Sequence, residues 1–221
     1  FDVIMMNPPY GGNEKDGISK GFPKDIRSSE TADLFMNVIM YSLKINGRAA
    51  VILPDGFLFG NDGAKFNIKS NLLKNFNLHT VIRLPGSVFA PYTSITTNIL
   101  FFDRTGATKE TWFYRLDMPD GYKHFSKTKP MLREHFKHAD EWWDNRSEIQ
   151  DDKSNWKSKK FSVEEISANG YNLDLCVYPT EEKIILSPEE TMTEFIARRN
   201  ELDQIIDDKI AEIRALLEVK A

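Results

Sequence analysis

Asn7-Pro8-Pro9-Tyr10 is the stretch of the sequence whose residue types could do chemistry, and it directly follows a short apolar run that ends at Met6. Such a run predicts a short strand, buried on both faces, within a parallel sheet. The prolines cannot donate hydrogen bonds to a strand ladder, and Pro8 biases Asn7 away from helical geometry. The pattern therefore predicts a rigid turn at the carboxyl end of a strand, which is where open α/β sheets bind ligands.

The groups at this turn suit the activation of an amine on a planar ring. An exocyclic amine of a nucleobase is a poor nucleophile because its lone pair is delocalised into the ring. The Asn7 side-chain oxygen and the Pro8 carbonyl could accept its two hydrogens and draw the nitrogen towards tetrahedral geometry. Fixed dipoles of this kind act most strongly on charge that develops in the transition state. Tyr10 offers a flat face on which a flipped-out base could stack.

Asn7-Pro8-Pro9-Tyr10 resembles the catalytic motif of amino-group methyltransferases that use S-adenosylmethionine, in its adenine-specific form. The resemblance implies that Asn7, Pro8, Pro9 and Tyr10 are catalytic residues. The alternative is an ordinary turn between a strand and a loop, since Asn and Pro are common turn residues.

The following residues alternate between helical and extended patterns. Thr31 to Lys44 has one broad apolar face and predicts a helix that ends at Asn46-Gly47. The sequence then predicts a strand over Arg48–Pro54, a helix over Ala64–Phe76, and two further strands over Thr80–Pro85 and Thr96–Phe102. The loop between the last two strands is too short for a crossover helix, so the fourth strand should be antiparallel to the third. We therefore expect an α/β fold with a mixed sheet.

Three segments extend the resemblance: Gly47–Pro54, Arg83–Gly86 and Thr97–Phe102. With the motif at Asn7, they resemble the modification (methyltransferase) subunit of type I restriction–modification systems. The resemblance implies the second half of a Rossmann-like methyltransferase sheet, followed by a long carboxyl-terminal helix. It also implies a catalytic-domain half over residues 1–105 and an irregular extension of that domain over residues 106–180. Residues 181–221 would form a helix for contact with another subunit.

One element of the family pattern is missing from these residues. The family places its S-adenosylmethionine loop, with closely spaced glycines, ahead of the Asn-Pro-Pro element, and no glycine-rich phosphate-binding fingerprint occurs in the chain. We therefore expect this chain to be the carboxyl-terminal portion of such a subunit. On its own it should lack the main cofactor loop, so its cofactor-binding residues are unknown and it should be inactive.

The last residues give a clear helix pattern. Ser187-Pro188-Glu189-Glu190 offers a cap residue, a proline at the first helical position and a glutamate placed for a capping box. The residues that follow place one apolar stripe along the helix: Leu202, Ile205, Ile206, Ile210, Ile213, Leu216 and Leu217. Packing against the body of the protein and contact with another subunit would both cover such a stripe, and we favour the second.

Charge and cysteine content bound the function further. Residues 181–221 hold 6 Lys and Arg against 11 Asp and Glu, so this tail has a net charge of −5. The whole chain has a net charge of −4, so residues 1–180 have a net charge of +1 and are close to neutral. A neutral body is a weak DNA binder by itself, because phosphate contacts dominate affinity. The resemblance assigns recognition of the DNA sequence to a specificity subunit, with a restriction subunit in the full complex.

Lone Cys176 fits a reducing cytoplasm, no apolar run could span a membrane, and no metal site is expected.

Two other functions remain open from the sequence. The Asn-Pro-Pro-Tyr element also occurs in enzymes that methylate a protein glutamine or an RNA base. A catalytically silent module that assembles through its terminal helix is the third interpretation.

Overall fold

The structure, a computed structural model, describes residues 1–9, 12–14, 16–61, 63–179 and 187–218, without the side chains of Asp16 and residues 215–218. The chain divides into two compact units, Phe1–Pro179 and Thr180–Ala221. The first unit is a mixed α/β body, and the described part of the second is one long helix.

The described residues of the first unit form a seven-stranded sheet in the order β1-β2-β4-β3-β5-β7-β6. The strands are β1 (Val3–Met6), β2 (Arg48–Pro54), β3 (Asn77–Arg83), β4 (Thr97–Asp103), β5 (Glu110–Arg115), β6 (Ile149–Gln150) and β7 (Trp156–Ser162). β1 is parallel to β2 and β3 to β5, while β4 lies antiparallel between β2 and β3. The predicted mixed sheet with an antiparallel fourth strand is therefore confirmed. β3 begins earlier than predicted, at Asn77, because Asn77 and Leu78 still pair with β4 beyond a bulge between Leu78 and Thr80.

Helices follow most of the strands. They are α1 (Asp16–Ser19), α2 (Thr31–Ser42), α3 (Asp55–Phe59), α4 (Gly63–Asn75), α5 (Lys137–Asp144, after a 3₁₀ turn at Arg133–Phe136) and α6 (Val163–Ala168). α2 ends before a left-handed Asn46 with φ 62°, a conformation that Asn tolerates. A Cβ on the next residue, Gly47, would lie 2.9 Å from the Lys44 carbonyl, so only glycine fits there. The predicted helices at Thr31 and Ala64 are confirmed.

Two apolar clusters cover opposite faces of the sheet. The larger one joins α2, α3 and α4 to strand residues such as Val51, Leu100 and Phe113. The smaller one packs α5, through Trp142, against Ile82 and Tyr114. Because Val81 belongs to the first cluster and Ile82 to the second, β3 is buried on both faces, as expected of a central strand.

The expectation that β1 is buried on both faces is wrong. Only Ile4 is buried, whereas Val3 is 51% and Met5 83% exposed. The physical reason is position: β1 lies at the end of the sheet and pairs with β2 alone among the described strands. The cluster that covers the opposite face is built around β3 and β5 and lies under α5, so it does not include β1.

The second unit contains α7 (Pro188–Glu218). Its predicted capping box is confirmed, because the Ser187 Oγ accepts from the Glu190 amide at 3.2 Å and the Glu190 carboxylate accepts from the Ser187 amide at 2.8 Å. The predicted apolar stripe is present and exposed, between 43% at Ile210 and 56% at Ile213. The side chains of Leu216 and Leu217 lie outside the described part of the structure.

Candidate active site at the carboxyl edge of the sheet

Asn7 leaves the sheet directly after β1. Since β1 ends at Met6, opposite Val51 of β2, the turn lies at the carboxyl edge that β1 shares with β2. Pro8 is buried, whereas Asn7 and Pro9 are exposed. Neither the Asn7 side chain nor the Pro8 carbonyl has a hydrogen-bond partner among the described residues. A buried proline residue thus restricts the turn, and the two acceptors beside it have no described partner. Tyr10, the fourth predicted site residue, lies outside the described residues.

Asp55 lies at the carboxyl end of β2, on the same edge of the sheet. Its Oδ1 accepts a hydrogen bond from the Asn98 Nδ2 of β4 at 2.6 Å and lies 3.3 Å from the Arg83 Nη2 of β3. Its amide donates to the Thr96 carbonyl at 3.1 Å. Asp55 therefore ties the ends of β2 and β3 to the start of β4.

Arg83 extends this network to a distant part of the chain. Its side chain is 4% exposed, and its Nη1 donates to the Asp174 Oδ1 at 2.6 Å. The Tyr178 hydroxyl, four residues later, donates to the Leu116 carbonyl at 2.6 Å at the end of β5. Leaving a buried guanidinium without its carboxylates would cost about 3–5 kcal/mol. The Arg83–Asp174 ion pair and the Tyr178 hydroxyl therefore hold residues 174–178 across the carboxyl ends of β3 and β5.

Arg115 of β5 is a second buried arginine that pairs with carboxylates and contacts the segment 174–178. Its Nε donates to Asp117 at 2.7 Å, its Nη2 to Asp151 at 3.0 Å and its Nη1 to the Val177 carbonyl at 3.2 Å. Hydrogen bonds from the Asn155 amide and from Arg115 lower the pKa of Asp151 to about 2, so this carboxylate is ionised at neutral pH.

Sequence reasoning missed both arginine networks. The signal available was an arginine at the end of each of two apolar strands, at Arg83 and Arg115, because a buried cation requires an acidic partner. Their partners could not be assigned, since Asp174 is 91 residues from Arg83.

The structure offers little for other chemistries in the ranges it describes. No group of His, Cys, Asp or Glu side chains there could hold a metal ion. None of the helices in those ranges has the length and apolar character of a membrane span. Cys176 is buried beside the larger core, and this burial raises the pKa of its thiol to about 11.

Comparison with known proteins identifies the family. Residues 1–185 match the model of the N-6 DNA methylase family, and the chain belongs to this family. Its fold is the mixed α/β sheet described above, followed by a long carboxyl-terminal helix.

Individual relatives are methylase subunits of type I restriction enzymes. The chain is 45% identical to the EcoEI methylase subunit of Escherichia coli over 92% of its own length and 42% of that protein. A modification subunit from Vibrio vulnificus YJ016 is 48% identical, with a TM-score of 0.69 over 75% of this chain and 34% of the other. A subunit in a structure of type I restriction–modification complex assembly is 36% identical, with a TM-score of 0.71 over 100% of this chain and 46% of the other. The chain thus spans less than half the length of these relatives.

Proposed function

We propose that the chain forms the base-binding part of an adenine-specific DNA methyltransferase, as the carboxyl-terminal portion of a type I modification subunit. The observation that supports this most directly is the pair of acceptors at Asn7 and Pro8, both without partners among the described residues, at the carboxyl edge of β1. In this proposal residues 1–105 form the catalytic half-domain, 106–180 extend it, and 181–221 contact another subunit.

The proposed chemistry follows from those acceptors. A flipped adenine would place its exocyclic amine between the Asn7 side-chain oxygen and the Pro8 carbonyl, with its ring against Tyr10. Accepting both amine hydrogens localises the nitrogen lone pair and stabilises the positive charge that develops there during transfer. Pro8 and Pro9 hold the turn rigid, so the acceptors need little reorganisation. Most of the rate enhancement would come from this positioning.

S-adenosylmethionine would supply an electrophilic methyl group. The described residues fit it only in part: β1 presents the expected edge, but the sequence contains no glycine-rich fingerprint for binding a nucleotide. We therefore place the main cofactor site in the remainder of the parent subunit, and assign this chain only the amine-holding role.

The proposed partners are DNA, a specificity subunit and a restriction subunit. A body of nearly neutral charge is poorly suited to bind DNA alone, so recognition of the DNA sequence would fall to the specificity subunit. The exposed stripe of α7 is the proposed contact with that subunit. Substrate DNA and the free thiol of Cys176 both suit a cytoplasmic location.

Replacing Asn7 tests the proposal. In the intact complex, Asn7→Ala removes one acceptor and should lower the rate of methyl transfer by about 10²–10³, the range for loss of one group that stabilises transition-state charge. DNA affinity should change far less, because Asn7 contacts one base only. The matched control is Asn75→Ala at the exposed end of α4, which should methylate at the wild-type rate. Wild-type transfer by Asn7→Ala would remove this residue from the mechanism.

A further inference from the structure

The segment that follows the Asn7 turn is hydrogen-bonded to the start of α2. The Thr31 amide and its Oγ1 both donate to the Gly12 carbonyl, at 3.1 and 3.0 Å. The Glu14 amide donates to the Ser29 carbonyl at 2.8 Å, and Asn13 forms a β-bridge with Glu30. A Cβ on Gly12 would lie 3.0 Å from the Thr31 Oγ1, so the segment lies close against the helix. The start of α2 therefore holds residues 12–14 in place.

A buried lysine holds the start of α2 in turn. The Lys65 Nζ of α4 lies 2.5 Å from the Glu30 Oε1 and 3.1 Å from the Asp33 Oδ2. The side chain of Lys65 is 3% exposed and that of Asp33 is fully buried. The Ser28 hydroxyl donates to the same Asp33 oxygen at 2.7 Å. The backbone of Glu30 also forms the bridge with Asn13. Lys65 therefore contacts a residue that is itself paired with the segment after the turn.

The charges in this cluster depend on each other. Burial alone would lower the pKa of Lys65, but its hydrogen bond to Glu30 and the charge of Asp33 outweigh burial and raise it. Burial raises the pKa of Asp33, despite its hydrogen bond from Ser28 and the charge of Lys65. The ammonium group therefore remains charged at neutral pH and is the group that offsets both carboxylates.

One turn further along α4, Lys69 holds the segment that leaves β2. Its buried Nζ donates to the Leu58 and Gly60 carbonyls, at 2.8 Å each, at the end of α3. A Cβ on Gly60 would lie 2.4 Å from the Lys65 Cδ, so Gly60 leaves room for the Lys65 side chain. Two lysines on one face of α4 thus contact segments that follow the carboxyl ends of β1 and β2.

We propose that Lys65 is a positioning residue for the base-binding loop, acting through Glu30 and Thr31 on residues 12–14. This inference rests on the proposed function, since it assumes that the loop after Asn7 holds the target base. The buried ammonium group of Lys65 pairs with Glu30 and Asp33, so the role that we assign to it is indirect. Lys65 acts on residues 12–14, as the buried Pro8 acts on the turn at Asn7.

Loss of the ammonium group should loosen the loop more than the fold. Lys65→Met keeps the length and apolar stem of the side chain but leaves the Glu30 and Asp33 carboxylates without their shared cation. Glu30 is half exposed, so its carboxylate can turn to solvent. The start of α2, whose backbone forms the bridge to Asn13, then loses its tie to α4. A displacement of the loop by about 1 Å is enough to lower a positioned reaction by about 10²-fold.

Hydrogen exchange tests the anchoring without any reference to catalysis. In the intact subunit, Lys65→Met should speed exchange at the Glu14 and Thr31 amides about tenfold, with exchange in β2 unchanged. The matched control is Lys74→Met, an exposed lysine of the same helix, which should leave both regions unchanged. If Lys65→Met fails to fold, Thr31→Val provides the test, because it removes the hydroxyl contact to Gly12 and keeps the shape of the side chain. Unchanged exchange in the folded variant would overturn the inference.

Kinetics of the assembled complex test the link to the reaction. Lys65→Met should lower kcat about 10²-fold at an unchanged Kd for DNA, and should reduce the fluorescence change of 2-aminopurine placed at the target adenine. A loss of kcat that only matches the loss of folded protein, with a normal 2-aminopurine signal, would make Lys65 a stability residue and overturn the proposal. Wild-type activity of Asn7→Ala would instead reject the proposed function, and the exchange result would still decide the anchoring.

Discussion

Asn7 and Cys176 are two polar residues whose chemistry is set by opposite surroundings. Asn7 is exposed and has no partner among the described residues, so its amide can bind a ligand. Cys176 is buried beside the larger core, where its thiol packs as a small apolar group. Exposure therefore separates a candidate site residue from a structural one, although both residue types can be catalytic elsewhere.

The buried thiol should be unreactive. With a pKa of about 11, Cys176 is about 0.1% thiolate at pH 8, well below the fraction of an exposed cysteine. Burial disfavours the charged form, so the reactive fraction should rise only as pH approaches 11. Alkylation by iodoacetamide at pH 8, followed at the Cys176 peptide by mass spectrometry, should be at least about tenfold slower in the native subunit than after unfolding. Equal rates in the two states would show that the thiol is accessible.

At the scale of elements, α7 shows what a sequence can specify locally. Ser187 and Glu190 form the predicted capping box, and the stripe that includes Ile206 and Ile213 follows from a helical period alone. Both features depend on residues close together in the sequence, so local patterns are enough to predict them.

Disruption of the α7 stripe should weaken assembly. Burying one Ile or Leu is worth about 1.5–3 kcal/mol, and the exposed stripe offers several such residues. We expect Ile206→Asp with Ile213→Asp to weaken co-purification with the specificity subunit and to leave the circular dichroism of the sheet unit intact.

The matched control for this pair adds the same charge on the opposite face of the helix. Gln204→Asp with Ala211→Asp lies about 180° from the stripe at 100° per residue and should co-purify normally. If the stripe variant instead unfolds the whole body, the stripe packs within the chain and the interface proposal is wrong.

Other elements could be predicted only in part. β2 and α4 follow from apolar periodicity and were located within a residue or two. The exposed face of β1 was missed, because an apolar run is the same in a central and in an edge strand, and only the sheet order distinguishes them. The Lys65 cluster was missed for a related reason. Its partners Glu30 and Asp33 come from another helix, and a lysine on a helix usually faces solvent.

At the scale of the whole molecule, the uncovered end of the sheet requires explanation. Phe1, Val3 and Met5 are exposed beside the half-exposed Val38 of α2 and line a cavity of about 250 Å³ with little polar surface. An unpaired apolar edge strand tends to associate with other strands. Because the chain covers 42% of its EcoEI relative, we propose that the rest of the parent subunit, with the cofactor site, pairs with β1.

The isolated chain should therefore not bind the cofactor. Titration calorimetry of residues 1–221 with S-adenosylmethionine should show no binding at micromolar concentrations, whereas the intact subunit should bind. The control is the intact subunit with the Asn75→Ala substitution, prepared in the same way, which should bind S-adenosylmethionine like the unmodified intact subunit. Micromolar binding by the isolated chain would place the main cofactor site within these residues and contradict our assignment.

The reaction product tests the central claim most directly. The intact complex would be incubated with S-adenosylmethionine in three separate reactions, which contain DNA, RNA or a glutamine-containing protein as substrate. The methylated product of each reaction would be identified by mass spectrometry. The proposal predicts N6-methyladenine in DNA alone, formed by the wild-type complex and reduced about 10²–10³-fold in Asn7→Ala. Methylation of RNA or of a protein glutamine, or no methyl transfer at all by the wild-type complex, would contradict it.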